Sequence, residues 1–164
     1  MPVNFFDTNC QEAPIHAVKF GICDDGTDAI AYTDIENLEE WIAKVENPKA
    51  IEIMFTAIDN CVRILRKNGN EDNQCDGMLT YEDTIVFVEL KTGDKRWKEH
   101  GINQVEVTVQ YFIKHHNLDN YKHKRAFVCN SQHPRFQVIN QETKQRFYNK
   151  YKVRLNIQTT IKIK

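Results

Sequence analysis

The sequence predicts an α/β chain with a central mixed β-sheet flanked by helices, and three observations carry that prediction. Residues 76–81 and 84–91 read as two strands joined by the short polar pair Glu82-Asp83. Residues 95–115 place apolar side chains at helical spacing. Residues 125–130 return to a strand pattern, and a strand reached through a helix is expected to lie parallel to a strand of the same sheet. The 164 residues are about the size of one ordinary domain, so residues 1–164 are read as a single unit. A composition of 41% hydrophobic and 27% charged residues, with six Gly and four Pro, excludes a disordered or collagen-like chain.

Taken in order, residues 16–23 alternate like a strand and run into Asp24-Asp25-Gly26, a turn signal. Asp34 can cap a helix through Leu38, Trp41, Ile42 and Val45, although Trp41, Ala43 and Val45 also fit a strand. Residues 51–65 admit two readings. Ile51, Met54, Phe55, Ile58, Val62 and Leu65 fall at helical spacing behind Asn47-Pro48, while Ile51, Ile53 and Phe55 alternate toward a turn at 57–60 and a second strand, 61–66. Residues 67–73 are a polar loop.

No stretch approaches the roughly 20 apolar residues that span a bilayer, and the first residues lack a basic region followed by an apolar one. Neither a membrane span nor a secretory signal is expected. Five scattered cysteines without a Cys-x-x-Cys pair point to reduced thiols in a cytoplasm. The net charge of −1 hides a division. Residues 1–109 carry 10 Lys and Arg against 21 Asp and Glu, whereas residues 110–164 carry 12 against 2. Such asymmetry suits a polyanionic partner.

The hairpin carries most of the chemistry. If Glu82 and Asp83 form the loop, Tyr81 faces Thr84, each further pair steps back by one, and Asp76 faces Glu89. Directly opposed residues share a face, and the period of two puts Lys91 on that face as well. Met78, Ile85 and Phe87 complete it, and Leu79, Val86, Val88 and Leu90 line the other, so both sides of the sheet are expected to be covered. Opposed carboxylates destabilise a sheet and need compensation: a divalent cation, the Lys91 ammonium or a raised pKa. Oxygen ligands of this kind suit Mg²⁺. The competing reading is an ordinary ion-pair cluster at a sheet end.

Cys75-Asp76-Gly77 followed by Val86-Phe87-Val88-Glu89-Leu90-Lys91 resembles the metal-binding hairpin of the PD-(D/E)XK nuclease superfamily, over residues 59–131. The resemblance implies a restriction-endonuclease-like core with N-terminal and C-terminal additions. It further implies that Asp76 and Glu89 are metal ligands, that the Leu90 carbonyl is a further ligand, and that Lys91 is catalytic. Cys75 stands where the name-giving pattern has Pro. Some branches of the superfamily direct a glutamine from the following helix toward the metal, and Gln104 matches that position best, Tyr111 less well. Nucleases of this kind also recruit an acidic residue from before the hairpin, for which Asp59, Glu71 and Asp72 are all available.

Asp94 can cap the helix from about 95 to 115, whose apolar stripe is Ile102, Val105, Val109, Phe112 and Ile113. Gln104, Thr108 and Tyr111 form a polar row beside it, with a solvated helix edge the expectation for Thr108 and Tyr111. Lys95 and Arg96 sit in the first turn, the wrong end for cations unless an anion binds there. Lys122, Lys124 and Arg125 precede the next strand and join them as expected nucleic-acid contacts. The tail, a helix over 141–150 and a strand over 153–163, interleaves cations with Phe147, Tyr148 and Tyr151. His115, His116, His123, Cys129 and His133 match no common zinc spacing.

Together these features predict a Mg²⁺- or Mn²⁺-dependent nuclease, with nucleic acid, most naturally DNA, as partner. Asp76, Glu89, Lys91 and Gln104 would form its site. A homodimer is compatible with the sequence. The alternative is a non-catalytic nucleic-acid-binding or protein-interaction domain that keeps the same fold.

Overall fold

The computed structural model describes residues 3–26, 28–63, 74–135 and 137–164. Its elements in chain order are β1 (Lys19–Cys23), β2 (Tyr32–Asp34), β3 (Ala43–Glu46), β4 (Met54–Ala57), β5 (Gly77–Tyr81), β6 (Thr84–Lys91), α1 (Trp97–His115), β7 (His123–Asn130), α2 (Gln141–Tyr151), β8 (Arg154–Ile157) and β9 (Thr160–Lys162). The α/β class holds. The single central sheet does not, because the strands divide into a four-stranded sheet ordered β2-β1-β3-β9 and a five-stranded sheet ordered β4-β5-β6-β7-β8.

The larger sheet begins as an antiparallel meander, β4-β5-β6, and continues through β7 and β8, each parallel to its predecessor. Seven of the eight residues of β6 are buried, so both faces of this strand are covered. Ile85 and Phe87 meet α1 through Val105, Val109 and Phe112, and Phe147 of α2 joins that core. Val86, Val88 and Leu90 face the smaller sheet and pack with Phe20, Ile22, Val45 and Ile161. The layers are therefore small sheet, large sheet, helices, with β6 in the middle. A one-residue slip of β6 would exchange the two cores, which is why its alternation fixes the register so firmly.

Several expectations for the connecting segments are corrected. The helix expected after Asp34 does not form: a short 3-10 turn, Leu38–Glu40, leads into β3, where the strand alternative holds for buried Ala43 and Val45. Over 51–63 the strand reading wins for β4, but Cys61 and Val62 lie in a turn, their amides bonding to the Ile58 carbonyl. The remainder of the expected second strand and the 67–73 loop, with Glu71 and Asp72, lie outside the described residues. The expected strand over 153–163 is two strands, broken at Gln158-Thr159, where the Thr159 hydroxyl exchanges hydrogen bonds with the main chain of buried Asn130. That break lets β8 pair with β7 and β9 with β3.

Reduced thiols are also corrected for one pair. Cys10 and Cys61 form a disulfide, because the Gln11–Thr56 bridge lays the N-terminal segment along β4. Cys23, Cys75 and Cys129 are free and buried. Among the described residues, no helix is long and apolar enough to cross a membrane.

Candidate active site

The observed β5–β6 register is the one the sequence predicts, from Tyr81 opposite Thr84 to Gly77 opposite Val88. Asp76 is one step beyond the last paired residue. Its carboxylate accepts the Leu90 amide at 2.7 Å, which fastens it across the end of the hairpin beside Glu89. Both side chains are buried, Asp76 at 6% exposure and Glu89 at 1%. One Glu89 oxygen, Oε2, accepts no hydrogen bond and has the Lys91 ammonium 3.5 Å away. Lys91 Nζ donates to Gln104 Oε1 on α1. The four residues expected to form the site thus adjoin one another through β5, β6 and α1.

α1 holds this arrangement by two devices. Gly101 lets the helix approach β7, since a Cβ there would lie 2.4 Å from a Val128 methyl. Thr108 accepts the Cys75 amide at 2.8 Å and donates to the Gln104 carbonyl at 2.9 Å, anchoring the residue that precedes Asp76. Thr108 is fully buried, not part of a solvated edge, because it receives this main-chain segment. Tyr111 is half-buried against the same core. The helix itself begins at Trp97, later than expected, with Arg96 at its N-cap in the left-handed region at φ 51° and no side-chain cap. Asp94 does not cap it and pairs with His133 instead.

Burial is the chief electrostatic fact. It raises the Asp76 carboxyl to about 6, against hydrogen bonds from Glu89 and the Leu90 amide that favour the charged form. Glu89 is pushed well above the ordinary carboxyl range, first by burial and then by the negative charge of Asp76, with Lys91 opposing. Both carboxyls are thus driven toward their protonated forms. Asp59 adds a smaller negative contribution to Glu89. Asp24, on the turn after β1, adds to Asp76. Asp24 was legible in sequence only as a turn residue; its role depends on β1 lying in the second sheet. Burial and nearby carboxylates also raise the Cys75 and Cys129 thiols, which makes them poor nucleophiles.

The expected nucleic-acid contacts separate into two groups. Lys95 and Arg96 lie just after the end of β6, on the Glu89 side, where Arg96 pairs with Glu99. Lys122, Lys124 and Arg125 lie at the start of β7, which is paired with the start of β6: His123 is opposite Thr84, and Glu89 is opposite Val128. Five strand residues put that end ~16 Å from Glu89.

Two buried carboxyls, one with an oxygen that accepts no hydrogen bond, are oxygen donors of the type that could contribute to holding a hard cation. Among the described residues, no group of three or more His, Cys, Asp or Glu side chains is arranged to hold a metal ion alone. Comparison of the chain with protein-family models, curated proteins and solved structures gives no match.

Proposed function

We propose that the chain is a Mg²⁺- or Mn²⁺-dependent nuclease that hydrolyses phosphodiester bonds of nucleic acid, DNA being the expected polymer, on a restriction-endonuclease-like core. The observation that carries this reading is the buried Asp76–Glu89 pair with an ammonium alongside and one carboxyl oxygen accepting no hydrogen bond. An ordinary surface ion-pair cluster would be solvated; this one is desolvated and carries more acid than the single lysine offsets. The meander β4-β5-β6, the helix α1 and the parallel β7 support the same reading.

Asp76 and Glu89 would hold the cation, next to the Leu90 main chain. When bound, the cation neutralises the scissile phosphate and acidifies a water. The Leu90 amide keeps the Asp76 carboxylate from rotating away. Gln104 holds the Lys91 ammonium toward Glu89, where it can orient the attacking water and stabilise charge developing on phosphoryl oxygens. Glu89 must give up its proton before it can serve as a ligand, which ties cation binding to pH.

The second reading, a binding domain without catalysis, draws on the absence of a larger ligand group among the described residues and on the placement of Lys122, Lys124 and Arg125 away from Glu89. A cleavage assay on mixed DNA and RNA with Mn²⁺ separates the two. Asp76→Asn, Glu89→Gln and Lys91→Ala should each lower the rate ~100-fold or more, with folding checked by circular dichroism. Full activity in all three variants would remove this site from the mechanism. An inactive wild type that still binds nucleic acid would favour the second reading.

A further inference from the structure

Lys122, Lys124 and Arg125 do not stand alone at their end of the sheet. They line a concave pocket of about 340 Å³ together with Lys152, Arg154 and Tyr148, and among the described residues no carboxylate side chain lines it. Glu82 and Asp83, on the turn leading into Thr84, lie outside the lining. Among the described residues, none of these five cations makes an ion pair. Arg125 donates to the Lys162 carbonyl and lies over the Phe127 ring, Lys124 donates to the Tyr121 carbonyl, and Lys152 and Arg154 lie over the Tyr148 ring.

Three cations elsewhere are ion-paired, Arg146 with Glu106, Arg96 with Glu99 and Lys91 with Glu89. What sets the five apart is that they gather in one concavity. The end of α2 accounts for Lys152, since a cation near a helix C-terminus is stabilised by the dipole. It does not account for the β7 cations or for Arg154 on β8. Like charges gathered in a concavity repel and are stabilised by an anion that bridges them. Five of them exceed what one monovalent ion needs. Two guanidinium forks and three ammonium groups on long stems match a run of phosphate oxygens.

We propose that this pocket is a second, separate site that binds consecutive phosphates, whether those of a nucleic-acid strand or of a small polyphosphate-bearing molecule. It shares no side chain with the Asp76–Glu89 centre and does not depend on that centre being catalytic.

The test is isothermal titration of the full chain with sodium tripolyphosphate at low salt. The wild type should bind at one site. The double variant Lys122→Glu/Lys152→Glu, altered only at exposed side chains, should lose at least ~10-fold in affinity, while Lys95→Glu at the other end should stay within about twofold. A labelled single-stranded oligonucleotide, displaced from the wild type by tripolyphosphate, assigns the phosphates to a strand. An oligonucleotide that binds wild type and double variant alike, while tripolyphosphate binding is lost, assigns the pocket to a small ligand. No tripolyphosphate binding, or equal weakening by Lys95→Glu and by the pocket pair, overturns the proposal.

Discussion

The two ends of the β6–β7 pair carry opposite charge and treat it in opposite ways. At the Glu89 end the charge is buried: Asp76 and Glu89 are held by the Leu90 amide and by Lys91. At the Thr84 end, cations from β7, α2 and β8 line an open pocket without acidic partners among the described residues. Buried charge must be compensated within the fold or change its protonation state, whereas exposed charge can wait for solvent ions or a partner. The proposed cation site and the proposed polyanion pocket thus rest on opposite treatments of charge. A central strand covered on both faces separates them.

The strand between the ends can be broken directly. Phe87 is fully buried against Phe112 at a centroid distance of 5.6 Å, so Phe87→Ala should cost ~3–5 kcal/mol in chemical denaturation. Both ends should fail together, with cation binding and polyphosphate binding lost over the same denaturant range.

A smaller effect distinguishes the ends by pH. Because the folded Asp76 carboxyl titrates near 6 and its ordinary value is 3.8, the folded state holds that proton more tightly than the unfolded state. The unfolded chain releases it first, so stability falls as pH rises from about 4 to about 6, by up to ~3 kcal/mol. The raised Glu89 extends the loss to higher pH. Thermal melts without divalent cation should show this decline, and Asp76→Asn should flatten it. Substitutions in the basic pocket should leave its shape unchanged. Wild type and Asp76→Asn whose melting temperatures change identically over that range would show that the pair is not buried as described.

The smallest expected effect is on salt dependence. If the pocket holds a strand, Lys122→Ala should reduce the slope of log affinity against log salt by ~0.7. An unchanged slope would place the strand elsewhere.

Sequence exposed the β5–β6 hairpin well because a short polar turn fixes both partners of every pair, and alternation then assigns each face. Helix spacing showed Gln104 only as part of a polar row with Thr108 and Tyr111; what singled it out was the family resemblance, and the structure places it against Lys91. The division into two sheets was not legible: apolar alternation over 153–163 looks the same whichever sheet receives it, and the break arises from the tertiary bonds between Thr159 and Asn130. The Cys10–Cys61 bridge and the approach of Asp24 have the same origin, since each depends on which strands lie side by side across long stretches of sequence. The position of Lys122, Lys124 and Arg125 was inferable in part. A parallel strand starts beside the start of its neighbour, which puts these residues near Thr84 and away from Glu89.

The central claim is that Asp76 and Glu89 together take up a divalent cation, and titration calorimetry with Mn²⁺ tests it most directly. At neutral pH the wild type should bind one Mn²⁺, with an enthalpy that varies between buffers of different ionisation heat because Glu89 releases its proton on binding. Glu89→Gln should abolish that binding while remaining folded. Wild-type protein that binds no Mn²⁺, or Glu89→Gln protein that binds it as tightly as the wild type, would contradict the account.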